Sequence, residues 1–105
     1  MSAEFSGNIT KCHQKLHDIL NDMGFTVIDN AEFDLYRIDC FVDEINTGFE
    51  ADGVGYHWKK RDAKRDEYLL NKFGVKIFRV SDKDLTTKAK IDKVRKDIME
   101  FVKNG

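Results

Sequence analysis

The chain has 105 residues, eight Phe and a net charge of −1, which suits one packed domain over residues 1–105 rather than a chain held together by staples. No apolar run is long enough to cross a bilayer, and no export segment is expected. Two cysteines, Cys12 and Cys40, make neither a disulfide framework nor a zinc pattern, so the expected setting is the reducing cytoplasm. The charge is unevenly spread. Residues 1–54 carry three basic side chains against eleven acids, while residues 55–105 carry fifteen against eight. A basic half beside an acidic pocket is what a metal-dependent enzyme acting on a polyanion needs; a solvated basic helix is the plainer reading.

A helix is expected from Asn8 or Thr10, either of which can cap it. Leu16, Ile19, Leu20 and Met23 supply its apolar stripe, and Gly24 stops it. His13 and His17 lie four apart on it, a spacing that suits a metal pair, but the sequence pattern offers no third ligand. Phe25–Ile28 reads as a short strand, with Asp29 and Asn30 as a turn. Two apolar runs follow, Tyr36–Val42 and Thr47–Asp52, joined by a turn at Asp43–Asn46.

Centring a hairpin between Glu44 and Ile45 sets Asp39 opposite Glu50, Cys40 opposite Phe49 and Ile38 opposite Ala51. Alternation then gathers Ile38, Cys40, Val42, Phe49 and Ala51 on one face, and Arg37, Asp39, Glu50 and Asp52 on the other. Cys40 falls on the core face, where a buried inert thiol is the common outcome. Opposed side chains lie roughly 5 Å apart, and like charges there destabilise the pair. A hard cation between the acids supplies a reason for the arrangement.

Gly53–Gly55 is expected to bend the chain. A helix from about Lys60 to Phe73, closed by Gly74, turns Tyr68, Leu69 and Phe73 inward and presents Lys60, Arg61, Lys64 and Arg65 as a charged face. Val75–Val80 alternates as a strand. A last helix uses Ile91, Val94, Ile98, Phe101 and Val102. The order is α-β-β-β-α-β-α. A helical crossover from the third strand to the fourth predicts a parallel pair, and so a mixed sheet flanked by helices in an α/β fold.

The pattern Asp39 … Glu50-x-Asp52-Gly53 … His57 … Asp62-x-x-Arg65 … Gly74-Val75-x-Ile77-Phe78-Arg79 resembles the very-short-patch-repair-like endonucleases of the PD-(D/E)XK superfamily. It is similar above all to their small, mostly uncharacterised members and to a related group of phage homing endonucleases. The resemblance spans roughly Tyr36 to Asp84. It implies a restriction-endonuclease-like core, α-β-β-β-α-β plus a C-terminal helix, and a DNA endonuclease using Mg²⁺, with Mn²⁺ as a substitute.

Residue by residue, the resemblance implies metal binding by Asp39 and Glu50. Asp52 stands where many members have lysine and the repair type has histidine, as a metal ligand or a proton-transfer aid. His57 matches the downstream histidine and Asp62 a helix-borne acid. Lys59, Lys60, Arg61 and Arg65 are expected to position the phosphate backbone. Where repair-type enzymes carry an acid on the first helix, this chain reads Lys11-Cys12-His13-Gln14, so either His13 substitutes or the role is missing.

The residue types suit the chemistry. Phosphodiester hydrolysis needs an activated water and a sink for negative charge, which a carboxylate-held divalent ion provides, and a histidine can move the proton. The plain alternatives are solvent-facing strand acids for Asp39 and Glu50, turn chemistry for Asp52 before Gly53, and a helix-dipole acid for Asp62. A catalytically inactive nucleic-acid-binding module of the same fold is the alternative function. An interaction protein using the last helix is a third. DNA is the expected partner, with RNA left open. A chain this small needs a homodimer or a separate DNA-binding domain to read many base pairs.

Overall fold

Thr10 starts the first helix: its hydroxyl accepts from the backbone N–H of His13 at 3.1 Å, and helix α1 runs Lys11–Asp22. The computed structural model describes residues 9–52 and 59–104, with side chains from residue 62 onward in the second stretch. Within them α1 is followed by β1 (Ile28–Phe33), β2 (Tyr36–Val42), β3 (Thr47–Asp52), α2 (Lys59–Phe73), β4 (Lys76–Ser81) and α3 (Lys88–Asn104). This is the α-β-β-β-α-β-α order expected from the sequence. Short 3-10 turns at Asp43–Ile45 and Asp82–Leu85 join β2 to β3 and β4 to α3. No helix among the described residues is long and apolar enough to cross a membrane.

The four strands form one mixed sheet in the order β1-β2-β3-β4, antiparallel except for the parallel pair β3 and β4. Helices α1 and α3 cover one face through Leu16, Leu20, Cys40, Phe49, Val94 and Ile98. Helix α2 covers the other through Leu69 against Ile38, Phe41 and Val75. Burying both faces explains why β4 alternates two apolar sides: Ile77 packs toward α2, while Phe78 and Val80 pack toward α3.

Two glycines end helices by adopting positive φ, Gly24 at 95° and Gly74 at 71°. After α2 the Gly74 N–H donates to Leu70 O, the 5→1 bond of an αL stop, and the Val75 N–H donates to Leu69 O. Asn46 ties the β2–β3 turn to that stop by donating its side-chain amide to Phe73 O at 3.1 Å.

The first strand departs from expectation. The segment Phe25–Ile28 precedes β1 except for its last residue, and Asp29 and Asn30 lie inside the strand rather than in a turn. The turn falls instead at Asp34 and Leu35, with Asp34 at φ 59°. The expected face of β2 also splits. Cys40 and Val42 join the α1 and α3 core, but Ile38 joins the α2 core. The cause is local. Asn30 takes φ 52°, and Asp29 and Ala31 on either side of it pair with Cys40 and Ile38. Both strands therefore change faces at the same level, so strict alternation fails across Asp39.

The hairpin register holds for Cys40↔Phe49, Phe41↔Gly48 and Val42↔Thr47, as predicted. Gly48 is required by the α2-side core. A Cβ there would lie 2.8 Å from both Ile38 Cγ2 and Ile77 Cδ1. Gly48→Ala is expected to destabilise the fold by about 1–3 kcal/mol through overpacking, read as a lower denaturant midpoint at unchanged slope.

Candidate active site

The regular β2–β3 ladder ends at the Cys40↔Phe49 pair, and the next residues on each strand are Asp39 and Glu50. There the carboxylates take over from the ladder. Glu50 Oε2 accepts from the Asp39 N–H at 3.1 Å, and Asp39 Oδ2 accepts from the Ala51 N–H at 2.9 Å. Each acid thus satisfies a backbone donor of the opposite strand where the strands part, and the exchange holds the two carboxylates side by side. Among the described residues, Asp39 Oδ1 accepts no hydrogen bond.

This placement works against ionisation. Glu50 is 6 % exposed. Burial, and then the neighbouring Asp39 charge, push its carboxyl from 4.5 up to about 7. Arg65 pulls it partly back: its Nη2 lies 3.1 Å from Glu50 Oε1. That contact is an ion pair without an aligned hydrogen bond, and the buried Nε and Nη2 groups of Arg65 have no acceptor. Two acids held together and short of positive charge, with buried guanidinium donors unused beside them, suit both a divalent cation and an anionic oxygen.

A second charged group lies next along the sheet. Arg79 is the β4 partner of Glu50 in the parallel register. Its Nη1 lies 3.3 Å from Asp52 Oδ1 and 3.4 Å from Asp62 Oδ2, and its Nη2 donates to Asp66 Oδ1 at 2.9 Å. Burial, and to a lesser degree Asp62 and Asp39, raise the Asp52 carboxyl, while Arg79 lowers it. Asp52 and Asp62 therefore join a guanidinium-centred cluster, with Asp39 and Glu50 beside it.

The expected residues sort accordingly. Glu50 meets Arg65, and Asp52 and Asp62 meet Arg79, on the α2 side of β3 and β4, while Asp39 is tied to Glu50 by the exchange of backbone hydrogen bonds; among the described residues no three of these acids bring their oxygens within 4.8 Å of one another. Arg65 turns inward to Glu50 rather than forming part of an open charged face; its side chain is 17 % exposed. His57 lies outside the described residues, as do Gly53–Gly55, Tyr56, Trp58 and the side chains of Lys59, Lys60 and Arg61. Sequence reasoning passed over Asp66 and gave Arg79 no role. Two signals were available. Asp66 follows Asp62 by four residues, one turn along a helix face, and Arg79 shares its face of β4 with Ile77, which points toward α2.

His13 and His17 do not reach this acid pair through any hydrogen bond. Both bond to Asp29 on β1: His13 Nε2 lies 2.9 Å from Oδ1, and His17 Nδ1 lies 3.0 Å from Oδ1 and 2.9 Å from Oδ2.

No family model matches the chain, and no curated protein matches it significantly. Among solved structures, the catalytic domain of the homing endonuclease I-Bth0305I superposes with a TM-score of 0.71 and 21 % sequence identity, over 88 % of this chain and 93 % of that one. The mixed sheet flanked by helices is therefore the fold of that endonuclease domain.

Proposed function

We propose that the chain is a divalent-metal-dependent DNA endonuclease whose metal is held by Asp39 and Glu50. The observation that carries this reading is the reciprocal hydrogen bonding at the parting of β2 and β3. It keeps two carboxylates together at a cost to the ionised state that a cation would offset. The likeness in fold to a homing endonuclease catalytic domain supports it. The donor set suits Mg²⁺, which takes one or two carboxylates and keeps several waters, with Mn²⁺ as a substitute.

Bound there, the ion would polarise the phosphoryl group and acidify a water. The chain's own residues do the rest. Asp39 and Glu50 fix the site between two rigid strands. Arg65 offers its buried N–H donors to a phosphate oxygen beside Glu50. Arg79 holds Asp52 and Asp62 in place and offsets their charge. His57 is assigned proton transfer, and Lys59, Lys60 and Arg61 contact with the DNA backbone.

The test is plasmid cleavage. With Mg²⁺ or Mn²⁺ the protein is expected to convert supercoiled DNA to nicked or linear forms, and with excess chelator it is expected to leave it intact. Salt-sensitive DNA binding with no cutting in either metal would reject the enzyme and favour the inactive binding module of the same fold.

A further inference from the structure

A second cluster of ligating side chains lies on the opposite side of the sheet, under α1. His13 Nε2, Asp29 Oδ1 and Cys40 Sγ all come within 4.8 Å of one another. The His13–Asp29 contact is 2.9 Å and the Cys40–Asp29 contact 3.9 Å. The three come from different elements, α1, β1 and β2. His13 is 3 % exposed and Cys40 0 %, and the Asp29 side chain is 5 % exposed. His17, half-buried on the solvent side, has its Nδ1 within reach of both Asp29 oxygens, 3.0 Å from Oδ1 and 2.9 Å from Oδ2. The described partners of this buried carboxylate are two imidazoles and a thiol, with no lysine or arginine among them.

We propose that His13, Asp29 and Cys40 form a structural binding site for a zinc-class transition dication, with His17 orienting Asp29 from outside. This site is independent of the proposed nuclease centre. The geometry is close to what the metal needs. Zinc–ligand lengths of about 2.0–2.3 Å place neighbouring ligands of a tetrahedron about 3.3–3.7 Å apart. The observed 2.9 and 3.9 Å contacts straddle that range, and His13 Nε2 and Cys40 Sγ lie within 4.8 Å of each other, so the three ligand atoms already surround one point. Binding requires His13 to present Nε2 without a proton, its ring proton then sitting on Nδ1, and the Cys40 thiol releases its proton to solvent.

One imidazole, one carboxylate and one sulfur select zinc or cobalt(II) over magnesium, which favours oxygen alone. His17 bonded to the ligating carboxylate is the outer partner such sites use to fix a ligand. The site would staple α1 to β1, the edge strand of the sheet.

The experiment is a cobalt(II) titration of the chelator-stripped full chain, followed by absorption, with zinc as competitor. One equivalent is expected to bind with a thiolate-to-cobalt charge-transfer band, and zinc is expected to displace it. Zinc, but not magnesium, is expected to raise the thermal midpoint. Cys40→Ala is expected to abolish the band, whereas Cys12→Ala and Asp39→Asn are expected to keep it. His17→Ala should weaken cobalt binding about 10–100-fold. Absence of the band in the wild type, or its survival in Cys40→Ala, overturns the site. If Cys40→Ala does not fold, the His17→Ala affinity decides, and an unchanged value overturns it.

Discussion

Asp39→Asn is expected to lower Mg²⁺-dependent DNA cleavage by at least about 10²–10³-fold, the scale of losing one preorganised electrostatic group at a reacting centre. The fold should survive. Asn keeps a carbonyl oxygen that can accept from the Ala51 N–H, now held at 2.9 Å by Asp39 Oδ2. The variant loses the charge that faces the cation. It also relieves Glu50, because the Asp39 charge is the second cause, after burial, of its raised carboxyl. The same variant should therefore bind Mn²⁺ more weakly while melting no lower than the wild type in the absence of metal. Single-turnover cleavage beside a thermal melt separates the two effects. Wild-type cutting by Asp39→Asn would remove Asp39 from the site.

Glu50→Gln is expected to abolish cleavage and, in metal-free buffer at pH 8, to stabilise the protein by about 1–3 kcal/mol. Glu50 binds its proton more tightly in the folded state, with a carboxyl at about 7, than at its ordinary value of 4.5. Between those two values the native state holds more protons than the unfolded one. Stability is therefore greatest below the ordinary value and falls as pH rises through about 7, with a full span of about 3 kcal/mol. A neutral glutamine escapes that fall.

Loss of the Arg65 ion pair subtracts from the gain, because the guanidinium 3.1 Å away stabilises the Glu50 carboxylate. The gain should vanish near pH 4, where Glu50 is protonated, and in saturating Mg²⁺, which stabilises the wild type by linkage. Urea titrations at pH 4 and pH 8 check the sign; a less stable variant at pH 8 would mean that the Arg65 pairing dominates. An inactive variant more stable than its parent is what a strained charge pair predicts.

Much of this was legible in the chain. Thr10, Gly24 and Gly74 mark helix ends by side-chain chemistry and backbone freedom, and these local signals needed no tertiary context. The hairpin register followed from alternation about one turn, because slipping it by one residue would bury the acids.

What failed did so because the deciding residue lay on a neighbouring element. Asn30 in a left-handed conformation lets β1 and β2 change faces together, and nothing in the residues near Ile38 announces it. Reading Asp29-Asn30 as a turn was sound local chemistry, overridden because Asp29 is bonded from α1 by His13 and His17. The sequence alone names Asp39, Glu50, Asp52 and Asp62 as candidate acids. Their partition was not legible, because Arg79 reaches Asp52, Asp62 and Asp66 only once a parallel crossover brings β4 beside β3.

The most direct test is anomalous diffraction from a crystal of the protein soaked with Mn²⁺ and a short DNA duplex. The account predicts a manganese peak coordinated by carboxylate oxygens of both Asp39 and Glu50, with a phosphate oxygen of the duplex in its coordination shell. Manganese bound elsewhere, or Asp39 and Glu50 still engaged only by backbone and Arg65 beside bound DNA, would contradict it.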